Sequence, residues 1–285
     1  MTRLKAFSIH LAISVAIFAA LLSVIVFVWY PAPFFATDGG WQGLRIILTV
    51  DIILGPILTL IIFNPKKERR QIRFDLTVIG IVQLLALLSG TYIVHHERPV
   101  AKVIADGVVS PVTEYELNEN NLNLDEIQQY RNNGTITIYT DLPDDFNEMQ
   151  KVLLQSVSKR RPLYLFTEKY TKLDQTKLEK LAGFSINMKK YLQDNEKGKK
   201  IFNDFLAAQN RQPDEFLFLP LHSRYARTIV VLDRQTAQVI DVLNGISSPG
   251  VAEIDNFIQF KREYRLTPEE EAAKKAKKSP ETQNQ

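Results

Sequence analysis

Arg45-Ile-Ile-Leu-Thr-Val-Asp51-Ile-Ile-Leu-Gly55-Pro56-Ile-Leu-Thr59-Leu-Ile-Ile-Phe63 is an apolar run long enough to cross a bilayer, yet it carries a carboxylate and a helix breaker near its middle. A charge at mid-bilayer costs roughly 2.5–3.5 kcal/mol on insertion scales, and a proline removes one backbone hydrogen bond. A segment that tolerates both needs neighbouring helices or polar partners to compensate. It reads as one helix of a membrane assembly.

Working outward, residues 7–30, 44–63 and 74–94 are each predicted to be transmembrane helices. At roughly 1.5 Å per residue, about 20 residues cross the ~30 Å hydrocarbon core. Basic residues set the expected orientation, because Lys and Arg are retained on the cytoplasmic side. Arg3 and Lys5 precede the first span, and Lys66, Lys67, Arg69, Arg70 and Arg73 separate the second from the third, whereas 31–43 has none. The N-terminus and the 64–73 loop are therefore expected inside, and everything after the third span outside. Trp29, Tyr30, Trp41 and Tyr92 fall at the outer boundaries, where amphipathic rings settle. A cleaved signal peptide fits the first span less well, since its apolar run exceeds the usual length and no clean small-x-small site follows.

The net charge of +3 belongs to this topology. Residues 1–98 hold 9 Lys and Arg against 5 Asp and Glu, while 99–285 hold 26 against 27, so the exported part is nearly neutral, which argues against a dedicated nucleic-acid surface. The chain has no cysteine, so that part must be stable without disulfides.

Past Arg98-Pro99 the periodicity changes. Strands are predicted at 100–109, 134–139, 216–221, 227–232 and 237–243, with Asn133-Gly134 as a turn and Asp233 to Thr236 closing a hairpin. Helices are predicted at 144–157, 173–192 and 197–208. The fold class that results is a membrane α-helical N-terminal region, 1–98, followed by an exported α+β domain, 99–265. In 266–285, Thr267-Pro268 and the acidic run after it read as a helix start, and the polar end as a disordered tail.

Within the second span Asp51, Gly55 and Thr59 share one helical stripe beside Pro56, which we read as a packing surface, with an ion relay as the rival. The first span shows His10 and Ser14 on one side and Ala12, Ala16 and Ala20 nearly opposite; small residues at every fourth position let helices approach closely. Gly80, Gln83, Leu87 and Gly90 mark a similar stripe on the third span, with Gln83 placed to reach Asp51 or a backbone carbonyl. Asp75 is expected to cap the third helix. His95-His96-Glu97 lacks the convergence of a metal site, and His222-Ser223 lacks a triad context. No phosphate loop or zinc spacing is present. We expect no enzyme, no cofactor and no bound metal.

Trp29-Tyr30-Pro31-x-Pro33, Gly39-Gly40, Val50-Asp51-x-x-Leu54-Gly55-Pro56-x-Leu58-Thr59, Asp75-Leu76, Gln83-x-x-Ala86-Leu87 and Arg98-Pro99 together resemble the type IV pilin accessory proteins, TfpX/TfpZ and their FimB-like relatives. Phe218-Leu219-Pro220-Leu221 and Asp233-x-x-Thr236 are similar to the family's late strands, while Ala105-Asp106-Gly107-Val108 departs from its first. The resemblance implies a non-enzymatic factor of the bacterial inner membrane that modulates assembly and surface display of a cognate type IV pilin. Its implied partners are the major pilin, the pilus assembly platform and membrane lipid. The chain is not itself read as a pilin: were Ala6-Phe7 a prepilin junction, the fifth mature position would be Leu11 rather than Glu. The alternative is a membrane-anchored ligand sensor or transport-associated protein that uses Asp51.

Overall fold

The computed structural model describes residues 2–30, 34–132 and 135–248. The Pro31 and Pro33 positions, the Asn133-Gly134 turn and the 266–285 tail lie outside these residues. Among the described residues three helices are long and apolar enough to cross a membrane, Arg3–Trp29, Gly40–Ile62 and Arg69–His96. Each extends beyond the predicted 7–30, 44–63 and 74–94 on at least one side. The second span lies between the other two, packing against both. Its apolar outer faces stay exposed, as expected of helices whose solvent is lipid.

Pro56 does not break the second span. The helix widens into a π turn over Thr49–Leu54 and resumes as α-helix at Gly55, whose N–H reaches back five residues to the Val50 carbonyl. The wider turn relieves the clash between the proline ring and the preceding carbonyls. Asp75 is likewise not a cap, since Glu68 holds that position and Asp75 lies inside the third helix, paired with Lys67 at 2.6 Å.

Among the described residues the C-terminal domain forms a mixed eight-stranded sheet in the order β3-β4-β1-β2-β6-β7-β8, with β5 paired to β4. The strands are β1 (Pro99–Ala105), β2 (Val108–Thr113), β3 (Arg131–Asn132), β4 (Thr135–Thr140), β5 (Tyr170–Lys172), β6 (Phe216–His222), β7 (Arg227–Asp233) and β8 (Val239–Ser247). β1 starts three residues after the third span ends, so the sheet grows directly from the membrane helix. Where one strand was expected over 100–109, the chain folds back as a hairpin at Asp106-Gly107, both with positive φ. Asp-Gly is a dipeptide favoured in two-residue hairpin turns of this hand. β1 runs parallel to β4 and β2 parallel to β6, which returns the β6–β7 turn to the membrane end.

Helices α1 (Glu114–Glu119), α2 (Phe146–Ser158), α3 (Gln175–Ala182) and α4 (Glu196–Gln209) accompany the sheet. On one face Leu178 and Leu181 of α3 cover Ile104, Leu219 and Val230; on the other Phe202 and Phe205 of α4 meet Phe216 and Phe218. These rings pack edge-on at 5.2 to 6.5 Å, a geometry aromatic quadrupoles favour. The single helix expected over 173–192 is interrupted after α3, because the Ile186 N–H leaves the helix to bond the Phe218 carbonyl.

Candidate functional site

The spans and the sheet meet at one joint, built on the end of the third span. A helix leaves its last carbonyls without intrahelical partners. Here the Tyr30 hydroxyl donates to the Val94 carbonyl at 2.8 Å, and Arg98 Nη1 donates to the His95 carbonyl at 2.7 Å. The guanidinium also places positive charge at the negative end of the helix dipole. Arg98 Nη2 then reaches Glu114 of α1 at 3.0 Å, and the Trp29 ring stands edge-on to His95 at 4.9 Å.

Across the joint, the turn between β6 and β7 grips the loop that joins the first two spans. The Thr37 carbonyl accepts from the Tyr225 N–H at 3.1 Å and from Ser223 Oγ at 2.7 Å. Gly39, at φ +101°, lies under the Tyr225 ring, where a Cβ would come within 2.8 Å of a ring carbon. Arg224 pairs with Glu97 at the foot of the third span. Asp38 is buried between these elements and accepts from Thr37 Oγ1 at 2.5 Å and from the Arg224 backbone N–H. Burial raises its carboxyl to about 6, against the lowering effect of those donors and of Arg224.

The family-signature residues Trp29, Tyr30, Gly39, Arg98 and Pro99 therefore gather here from separate stretches of sequence, with Gly40 opening the second span behind the loop. Thr37, Asp38, Glu97, Ser223, Arg224 and Tyr225 join them without having been singled out for this contact. Ser223, weighed only as a nucleophile, is a hydrogen-bonding residue of the joint. No local signal marks these six, since each acquires its role from a partner far along the chain.

A second constellation lies within the spans. His10 Nδ1 sits 2.6 Å from Thr59 Oγ1, and Ser14, one turn on, is buried. Asp51 is 7 % exposed with His10 within electrostatic reach. Among the described residues no hydrogen bond joins Asp51 to Gln83. Gln83 instead lays its amide against Gly55, where an added Cβ would stand 1.6 Å from Nε2. Of the third-span stripe, Gly90 approaches Ile47, whereas Gly80 faces open space. Ala12, Ala16 and Ala20 all point outward, on the face of the first span that no other span covers. Among the described residues no three His, Asp or Glu side chains converge as a metal site.

Among the described residues, three helices long and apolar enough to span a membrane, joined at one end to a mixed helix and sheet domain, define the class of fold. The family described as fimbrial assembly protein FimB matches residues 1–39. Over 99 residues, 35% of this chain, the sequence is 36% identical to the fimbrial assembly protein of serogroups C1 and C2 from Dichelobacter nodosus, covering 76% of that protein. The serogroup I and serogroup E1 proteins of the same organism are also 36% identical over 99 residues, but there the match spans only 38% of their length. The chain belongs to the FimB-like fimbrial assembly family. No solved structure matches it.

Proposed function

We propose that this protein acts in fimbrial assembly as a non-enzymatic factor of the bacterial inner membrane, modulating the assembly and surface display of a cognate type IV pilin. The names of its relatives support the assembly role. The observation that carries direct contact is the outward alanine face of the first span, Ala12, Ala16 and Ala20, in a chain whose sheet domain is tied to the spans by the joint. Small side chains admit another helix at close range. In this reading the pilin's apolar helix docks there, its globular head meets the sheet domain, and platform proteins come within reach of the same assembly. In this reading the N-terminus lies in the cytoplasm and the sheet domain in the periplasm, which the basic residues of the 64–73 loop support.

Photo-crosslinking tests this. A photoreactive residue at Ala16 is expected to capture pilin, and one at buried Ile25 to capture none. Absence of pilin adducts at Ala16, with the protein expressed and folded, removes direct docking. The alternative, a sensor or transport role, rests on the buried Asp51 carboxylate. It predicts that Asp51→Asn leaves piliation intact while disturbing an ion or solute response.

A further inference from the structure

Tyr92 is 66 % exposed near the end of the third span, and Tyr115 of α1 is 49 % exposed in the sheet domain. Both rings lie against His96, Tyr92 stacked at 5.5 Å and Tyr115 tilted at 5.7 Å. Tyr92 and His96 are four residues apart on one helix face, so His96 stands about 6 Å further from the bilayer centre. The headgroup layer outside the ~30 Å hydrocarbon core is roughly 5–7 Å deep on each side. With Tyr92 at the inner edge of that layer, His96 lies within it, and Tyr115, in contact with His96, stands beside the emerging helix.

The position of α1 is fixed independently of this stack. Arg98 and Glu114 tie its first residue to the third span, and Thr113 with Glu116 closes a capping box at its start. Asn118, three residues after Tyr115 and on the same side, is exposed. On the neighbouring span, Trp41 is 44 % exposed with the Arg45 guanidinium 4.9 Å over its ring, at the same end of the assembly. Half-exposed tyrosine and tryptophan, each with an apolar body and a polar edge, suit the boundary between acyl chains and headgroups.

We propose that α1 is a phospholipid-binding surface of the sheet domain, with Tyr115 anchored among the headgroups of the leaflet from which the third span emerges. This rests on the three helices spanning a bilayer, and on nothing about pilin. The contact gives the sheet domain a second hold on the membrane besides its covalent one, and leaves the side away from α1 to face protein partners.

The chain contains no cysteine, so one introduced cysteine can carry a nitroxide label at a single site. Labels at Asn118, at exposed Ile81 in the third span, and at Phe146 beyond the far end of β4 are compared in vesicles of phosphatidylethanolamine and phosphatidylglycerol. Collision with oxygen reports lipid and collision with a water-soluble nickel chelate reports water. Ile81 is expected to be oxygen-accessible, Phe146 nickel-accessible, and Asn118 intermediate, with nickel access severalfold below that at Phe146. Adding Tyr115→Ala should raise nickel access at Asn118. Full nickel access at Asn118 with a lipid-like Ile81 overturns the proposal, as does closure of Asn118 to both reagents, which would mark a protein-covered face. An unchanged value on Tyr115→Ala overturns Tyr115 as the anchor. A water-accessible Ile81 would instead refute the spanning arrangement itself.

Discussion

At the residue scale, close approach and buried charge carry the most energy. The carboxamide of Gln83 occupies the space that any side chain at position 55 would need. Gly55→Leu is expected to cost about 1–3 kcal/mol through overpacking, and Gln83→Ala in the same chain to recover part of it, read as melting temperature in detergent. Lys102 poses the opposite case. It is buried on the sheet face it shares with Ile104, between Pro111 and Thr137, and makes no hydrogen bond or ion pair among the described residues. Burial lowers its amine to about 8, from the usual 10.5. Below pH 8 the folded state holds an unfavourably placed charge, and stability should rise as pH increases from 8 toward 10.5. Lys102→Met should therefore stabilise the protein by about 1–3 kcal/mol at neutral pH and flatten that alkaline rise, as measured by denaturant titration.

At the element scale, the decisive feature is how the third span ends. Its last turn is closed by Tyr30 from the first loop and by Arg98 from its own continuation. Tyr30→Phe removes one buried hydrogen bond and should cost about 0.5–1.5 kcal/mol. Arg98→Ala removes a charged donor, a favourable dipole interaction and the tie to Glu114, and should cost more than Tyr30→Phe, with faster proteolytic cleavage near Pro99 as the check. Much at this scale was legible in sequence: the three spans, the sheet's start at Pro99, and the turn after Asp233, whose carboxylate accepts from Gln235 and Thr236. The Asp106-Gly107 hairpin was missed, because the valines and isoleucine on both sides of this turn dipeptide read as one strand over 100–109. The fate of Asp75 was not legible, because a carboxylate near a helix start reads as a cap until the helix is seen to begin earlier.

At the scale of the whole molecule, hydrogen bonds and an ion pair tie the spans to the sheet, and the buried Asp38 carboxyl is expected to make that joint sensitive to pH. Its carboxyl is raised from 3.8 to about 6 chiefly by burial, with Glu97, Glu116, Tyr30, Tyr225 and Arg224 as its charged or titratable surroundings. A raised acid favours the protonated folded state. The stabilisation is complete below pH 3.8 and is lost as pH rises through 6. Two pH units correspond to about 3 kcal/mol as an upper scale. We expect the distance distribution between spin labels in the first span and in β7 to narrow on acidification from pH 7 to pH 5. Asp38→Asn should abolish that response, and a distribution indifferent to pH in the parent chain would show that the joint does not respond to Asp38.

Composition and periodicity by themselves determined that this chain has three membrane helices and an α+β domain, since burial in lipid and in a sheet core impose different apolar spacings. They also placed Asp51, Gly55, Thr59 and His10 on surfaces that had to meet other helices. Only the tertiary structure decided which surfaces meet: Gln83 against Gly55, the alanines outward, and Thr37 and Asp38 beneath Ser223, Arg224 and Tyr225. Those contacts join positions as far apart as 37 and 223 through single hydrogen bonds and one ion pair. Such contacts leave no period in the sequence, because each partner is an ordinary loop residue until the β6–β7 turn is folded back onto the membrane end.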